Sequence, residues 1–293
     1  MRIARPLLAA AALALPSVAR PQAPANSLPA VAPDGPRIAF VGTRDGRDRL
    51  FVIDTDGSHE REVAINGSDG RMPRWSASGE LLFAGAGADT GTVFAVSPEG
   101  GTPRAVVIVP GRSPTLSPDG RRVLYLVGPW TSTALAVADT NGANAHTVAG
   151  GRATAWNGAW SPDGTRVAYT YGDSSRVLQV HVVNADGSSD LAVTHVTAAE
   201  GSAQMPAWSP DGGRLALQVN NHATHSSAIW IVDLASGKVN VLSGPGAAYL
   251  DEAPSWFPDG TRLAFQSNRT GTMAVWVMDV DGANPHQVTP RDQ

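Results

Sequence analysis

The sequence is 293 residues long, with no cysteine, 31 glycines, 22 prolines and a formal charge of -4. Disulfides, thiolate chemistry and zinc sites built on cysteine are thereby excluded, and the acidic balance argues against a nucleic-acid partner, which calls for a basic stripe. With 42% apolar residues the chain can bury a sizeable core, and its glycine and proline load points to many turns rather than long helices.

The opening segment, MRIARPLLAAAALALPSVAR, sets Arg2 and Arg5 ahead of an apolar stretch from Leu7 to Leu15 and a small-residue exit at Ser17 and Ala19. This order predicts a secretory signal peptide over 1–19, followed by a linker over 20–26. The stretch is shorter than the about 20 residues a bilayer span needs, and no later segment approaches that length. The mature protein is therefore expected to be periplasmic or secreted, with no membrane span.

From there the chain repeats. Six segments align: Pro33-Asp34-Gly35, Trp75-Ser-Ala-Ser-Gly79, Leu116-Ser-Pro-Asp-Gly120, Trp160-Ser-Pro-Asp-Gly164, Trp208-Ser-Pro-Asp-Gly212 and Trp256-Phe-Pro-Asp-Gly260. Their glycines lie 44, 41, 44, 48 and 48 residues apart. Each is followed by an apolar stretch such as Arg166-Val-Ala-Tyr169, a polar loop, and a second apolar stretch such as Ile229-Trp-Ile-Val232. A turn of the type Asp54-Thr-Asp-Gly57 or Asp279-Val-Asp-Gly282 comes next, and then a short strand ending near Val148, Val196 or Val288. Four short strands per unit of about 45 residues is the pattern of a β-propeller with one blade per repeat. No apolar pattern of helical period runs for three turns. The expected fold is all-β: a six-bladed β-propeller of four-stranded antiparallel blades over 27–293, in a single domain. Its ring closes either by side-chain packing between first and last blades or by an N-terminal strand added to the last blade.

The Trp-Ser-Pro-Asp-Gly segments resemble the repeats of TolB-like propellers, over nearly the whole expected mature chain. Similar repeats build the propeller domains of prolyl-oligopeptidase-type enzymes and of oligogalacturonate lyases, so the resemblance implies the fold and leaves the function open. It further implies a free-standing propeller, since neither the α/β domain that precedes the TolB propeller nor the hydrolase domain of the peptidases is expected here.

Residues present in every blade read as scaffold. Asp119, Asp163, Asp211 and Asp259 precede glycine in tight turns, where an Asp side chain accepts from the backbone two residues on. Trp75, Trp160, Trp208 and Trp256 are expected between adjacent blades. Function is then expected where blades differ, on the face opposite the Pro-Asp-Gly turns, which carries the loops between second and third strands and the connectors between blades. Counting four back from the Trp position gives Arg71, Arg112, Trp156, Gln204 and Glu252; Asp251, Met72, Asn157 and Met205 adjoin them, and Tyr249 lies just ahead. Large, mixed polar side chains around a channel mouth suggest a recognition surface, because burying them unpaired is costly.

Two function classes follow. In the first, the protein is a monomeric, non-enzymatic binding module with no cofactor, taking a protein or peptide partner of the cell envelope on Arg71, Arg112, Trp156, Gln204, Tyr249, Asp251 and Glu252. In the second, it is a metal-dependent lyase or hydrolase of acidic oligosaccharides, as the likeness to oligogalacturonate lyases implies. His222 and His225, three apart in one polar loop, would then hold the metal with Glu200 or Glu252, joined by His195. Nucleophile-elbow, His-Glu-x-x-His and phosphate-loop motifs are all missing from the sequence. The binding module is the expected class.

Overall fold

The computed structural model describes residues 26–65, 71–85, 91–151, 154–173, 175, 177–243 and 249–290. The expected signal peptide and most of the linker lie outside the described residues. The fold is a six-bladed propeller, each blade a meander of four antiparallel strands hydrogen-bonded in chain order. Blade 3 shows the plan in its strands Arg112–Leu116, Arg122–Val127, Ala134–Asp139 and His146–Gly150. Second and third strands read as apolar runs rather than alternating patterns because neighbouring blades cover both faces. In Arg122–Val127, for example, Val123, Leu124, Tyr125 and Leu126 are all buried. Buried apolar side chains accordingly form a cluster at each of the six seams.

The repeated turn residues act as their types predict. Asp119, Asp163, Asp211 and Asp259 each accept from the backbone N–H two residues on, at 2.9–3.1 Å. The following glycine of the Trp160 repeat, Gly164, has φ 70°, a conformation that costs glycine nothing. In blades 3 to 5 the serine two residues earlier donates its hydroxyl to the same carboxylate at 2.5–2.6 Å.

The tryptophans tie each blade to the one before. Trp75, Trp160, Trp208 and Trp256 donate Nε1–H to the carbonyls of Ala30, Thr115, Ala159 and Ala207. An arginine that opens the preceding blade's second strand lies over each ring: Arg37, Arg122, Arg166 and Arg214, at 4.6–5.1 Å from the centroid. Such cation–π contacts contribute about 0.5–2 kcal/mol each.

A second repeated device lies in the first strands: Asn26–Val31, Arg71–Trp75, Arg112–Leu116, Thr154–Trp160, Ser202–Trp208 and Asp251–Trp256. Each shifts register by one extra residue, at a residue in the left-handed region: Leu28, Met72, Ser113, Asn157, Met205 and Ala253, with φ 49–54°. Pro29, Pro73, Pro114, Pro206 and Pro254 follow in five blades. Proline is tolerated within a strand at a bulge, where the ladder loses a bond in any case.

Among the described residues no strand is shared across the seam that closes the ring. Asn26–Val31 pairs within its own blade, and blade 6 is reached through Leu28 N–H to Gln266 Oε1 at 2.8 Å and Val31 N–H to Ser255 Oγ at 3.1 Å. Between them Ile38, Phe40, Phe51 and Ile53 pack on Phe257, Ala264, Val275 and Val277. Of the two closures the sequence left open, side-chain packing is the one the described residues make.

Candidate functional site

The six first strands wall a central cavity of about 560 Å³. Left-handed residues, among them Leu28, Met72, Asn157, Met205 and Ala253, line it together with Pro29, Pro114, Pro206 and Pro254. So does the position just before each Trp, occupied by Ala30, Arg74, Thr115, Ala159, Ala207 and Ser255. The residues counted four back from the Trp are not on this wall. Arg112, Trp156, Gln204 and Glu252 do not line the cavity, nor do Tyr249 and Asp251. Across the bulge Gln204 and Ala207 stand opposite Gln218 and Ala216, two apart on the partner strand, so the counted positions lie further along the same first strands, toward the connector face. A proline two before the Trp position in five of six repeats marks the bulge in the sequence.

The structure disperses those candidates. Arg71 opens its strand opposite Ala84, and its side chain lies outside the described residues. Trp156 packs on the seam between blades 3 and 4 with Tyr171. Gln204 is half-buried and pairs in register with Gln218. Glu252 is held by amides: Gln266 Nε2 donates to it at 2.8 Å and Gln218 Nε2 at 3.1 Å, with the Ser227 hydroxyl at 3.3 Å. Asp251 has no exposed surface and takes two bonds from Arg269, whose guanidinium also lies 4.6 Å from the Tyr249 ring. A partner therefore finds no surface at Asp251.

Arg112 differs. Its guanidinium donates to the Gly128 carbonyl at 2.8 Å and lies 4.2 Å from the ring centroid of Trp130, which is 71% exposed. Both belong to the connector face, Trp130 in the loop between the second and third strands of blade 3. Sequence reasoning missed Trp130; a Trp in a loop with no repeat counterpart was the available signal.

The histidines do not converge. His222 Nε2 lies 2.9 Å from Ser202 Oγ, and His225 is exposed at φ 53°. The Thr197 backbone N–H and hydroxyl hold the Glu200 carboxylate below its usual range. Among the described residues no three His, Asp or Glu side chains form a group that could hold a metal ion, so the structure does not assemble the set His222, His225, Glu200 or Glu252. His146 bonds the Ala185 carbonyl on the turn face, and His181 stacks on Tyr171 and meets Asp190.

A ring of six blades around a walled channel defines a propeller scaffold rather than one chemistry. The model of the TolB beta propeller domain matches residues 128–293, more than half of the chain, and the chain belongs to that family. In structure it is similar to TolB from Acinetobacter baumannii, at 19% identity and TM-score 0.67 over 89% of this chain, and it spans 62% of that protein's length. It is also similar to an oligogalacturonate lyase in complex with manganese, at 15% identity and TM-score 0.62, covering 92% of this chain and 78% of the other. A chain of a nidogen/laminin complex matches at 13% identity and TM-score 0.63, covering 90% and 93%. At such identities the likeness speaks for the fold alone. No curated protein matches the sequence.

Proposed function

We propose that the protein is exported to the periplasm or the medium and there binds a protein or peptide partner of the cell envelope through its connector face, without catalysis of its own. The observation that carries this reading is the Arg112–Trp130 pair. An indole exposed to water loses nothing to a partner that covers it, and Trp and Arg dominate the energetics of protein interfaces. Here the two are already fixed against each other and against Gly128, so little side-chain freedom remains to be lost on binding. The scaffold does not require the ring: none of the corresponding loops of the other five blades carries a Trp. Arg71, Trp156, Gln204 and Glu252, near the starts of their first strands, and Tyr249, just ahead of one, form the proposed surround.

The test is capture from envelope extract on immobilised protein. Arg112→Glu and Trp130→Ala are each expected to weaken capture of the same partner by roughly 30-fold, the size of a hot-spot loss. Lys238→Glu, on the turn face, should capture as wild type does, and all three should melt alike. Equal capture by every variant would remove the connector face from the proposal.

A further inference from the structure

The wall position just before the Trp occurs six times around the channel, and in five blades a small side chain fills it: Ala30, Thr115, Ala159, Ala207 and Ser255. In blade 2 it is Arg74. Symmetry of the repeats shows that the scaffold closes without a cation here. Arg74 also lacks what usually accompanies a cation placed inside a protein. Its one described hydrogen bond goes from Nη1 to the carbonyl of its neighbour Pro73 at 2.9 Å, and no described carboxylate pairs with it. The side chain lies exposed on the channel, and the protein around it pushes its pKa down. A cation presented to the channel with no described carboxylate beside it is free to receive an anion from solution. The walls beside it are mixed: Leu28, Met72 and Met205 stand in the bulge ring with Asn157, and Pro29 and Pro206 adjoin the first and the last of the apolar three.

We infer that the channel is a binding site for a monocarboxylate with an apolar body, its carboxylate received by Arg74 and its body by the Leu28, Met72 and Met205 wall. A planar guanidinium matches a carboxylate in two-point geometry. The cavity volume of about 560 Å³ falls in the range of small-molecule sites. One cation matches one carboxylate; an acidic oligosaccharide, with a carboxylate on every ring, does not fit the charge count. The same chemistry is offered by a free organic acid and by the chain end of an apolar peptide. The site is separate from the connector-face surface and does not depend on it.

Calorimetric titration of the purified protein with four probes tests this: 4-phenylbutyrate, its neutral amide, N-acetyl-Leu-Pro-Leu as the free acid, and the same peptide amidated. At least one acid is expected to bind, roughly tenfold or more tighter than its amide, and to lose that margin in Arg74→Gln. Arg74→Ala places in blade 2 the residue that blades 1, 4 and 5 carry, and serves as a second variant if Arg74→Gln folds poorly. Binding of phenylbutyrate identifies a small-acid site, and binding of the peptide acid alone identifies a chain-end site. The inference fails if neither acid binds, if acid and amide bind alike, if both Arg74 variants retain wild-type affinity, or if trigalacturonate binds more tightly than either acid.

Discussion

Asp251 and Arg269 meet in a setting where the carboxylate has no exposed surface and the guanidinium little, between the aromatic rings of Tyr249, Phe265 and Trp276. Both partners have surrendered water, so the pair adds little net stability as a whole, yet removing one member strands the other. Arg269→Leu is therefore expected to destabilise the fold by about 3–5 kcal/mol, with most of the loss recovered when Asp251→Asn is added. Urea unfolding of the single and double variants checks this, and a loss near zero in the single variant would return Asp251 to the surface available for partners. The pairing rule of the repeats works at the same scale. In four of the five blades whose second strand opens with an arginine, the next blade supplies a Trp beneath it. Blade 2 opens its second strand at Leu81 without an arginine, and blade 3 correspondingly carries Leu116 in place of Trp.

Turns and bulges show which elements a sequence discloses. The Pro-Asp-Gly turns were legible because their chemistry is local: an Asp side chain, the N–H two residues on and a glycine need nothing from the rest of the molecule. The serine before them adds a pH dependence. Asp163 is lowered to about 2 from 3.8, first by the Ser161 hydroxyl and next by the Thr165 N–H; Asp119 and Asp211 are lowered by the equivalent Ser117 and Ser209. A carboxylate whose folded pKa lies below its unfolded one stabilises the fold above the unfolded value and loses that contribution as pH falls through the folded value. Stability should thus decline between about pH 4 and pH 2, modestly, since these carboxylates are exposed and screened. In carboxyl NMR titrations Asp163 should show a midpoint near 2 that rises toward the ordinary value in Ser161→Ala; an unchanged midpoint would reject the hydroxyl as the cause. The first-strand bulges were not legible in the same way, although Pro73 and Pro206 stand in the open, because a bulge is a relation between two strands. The count that placed Gln204 and Glu252 at the channel mouth did not register the bulge, and their left-handed neighbours Met205 and Ala253 line the channel. The Arg112–Trp130 contact was half legible: its arginine fell within the counted ring, but its ring lies 18 residues downstream in a loop that no period governs.

Across the whole molecule, stability resides in six seams, and the repeats alone could not say how the sixth is made, since it joins the two ends of the chain. Blade 1 has Val31 where the other blades that follow an arginine have Trp, so Arg262 of blade 6 has no neighbouring indole to cover. Blade 6 departs from the repeat at the matching point: Phe257 replaces the serine of Trp-Ser-Pro-Asp-Gly. Its ring is wholly buried against Ile38 and Phe40 of blade 1, and Arg262 lies 4.2 Å from its centroid. Phe257 thus supplies from the last blade the aromatic volume that the first blade lacks, at the one seam where the chain does not continue from blade to blade. Phe257→Ser, which restores the repeat residue, empties that volume and should cost about 3–5 kcal/mol, the range for deleting a large buried ring. The cost should also be local. Hydrogen exchange is expected to accelerate first in Arg37–Arg44 and Arg262–Ser267, which flank the closing seam, while Arg166–Gly172 in blade 4 keeps its protection. Acceleration spread evenly over all six blades would instead mean that the ring opens as one cooperative unit, with no seam weaker than the others.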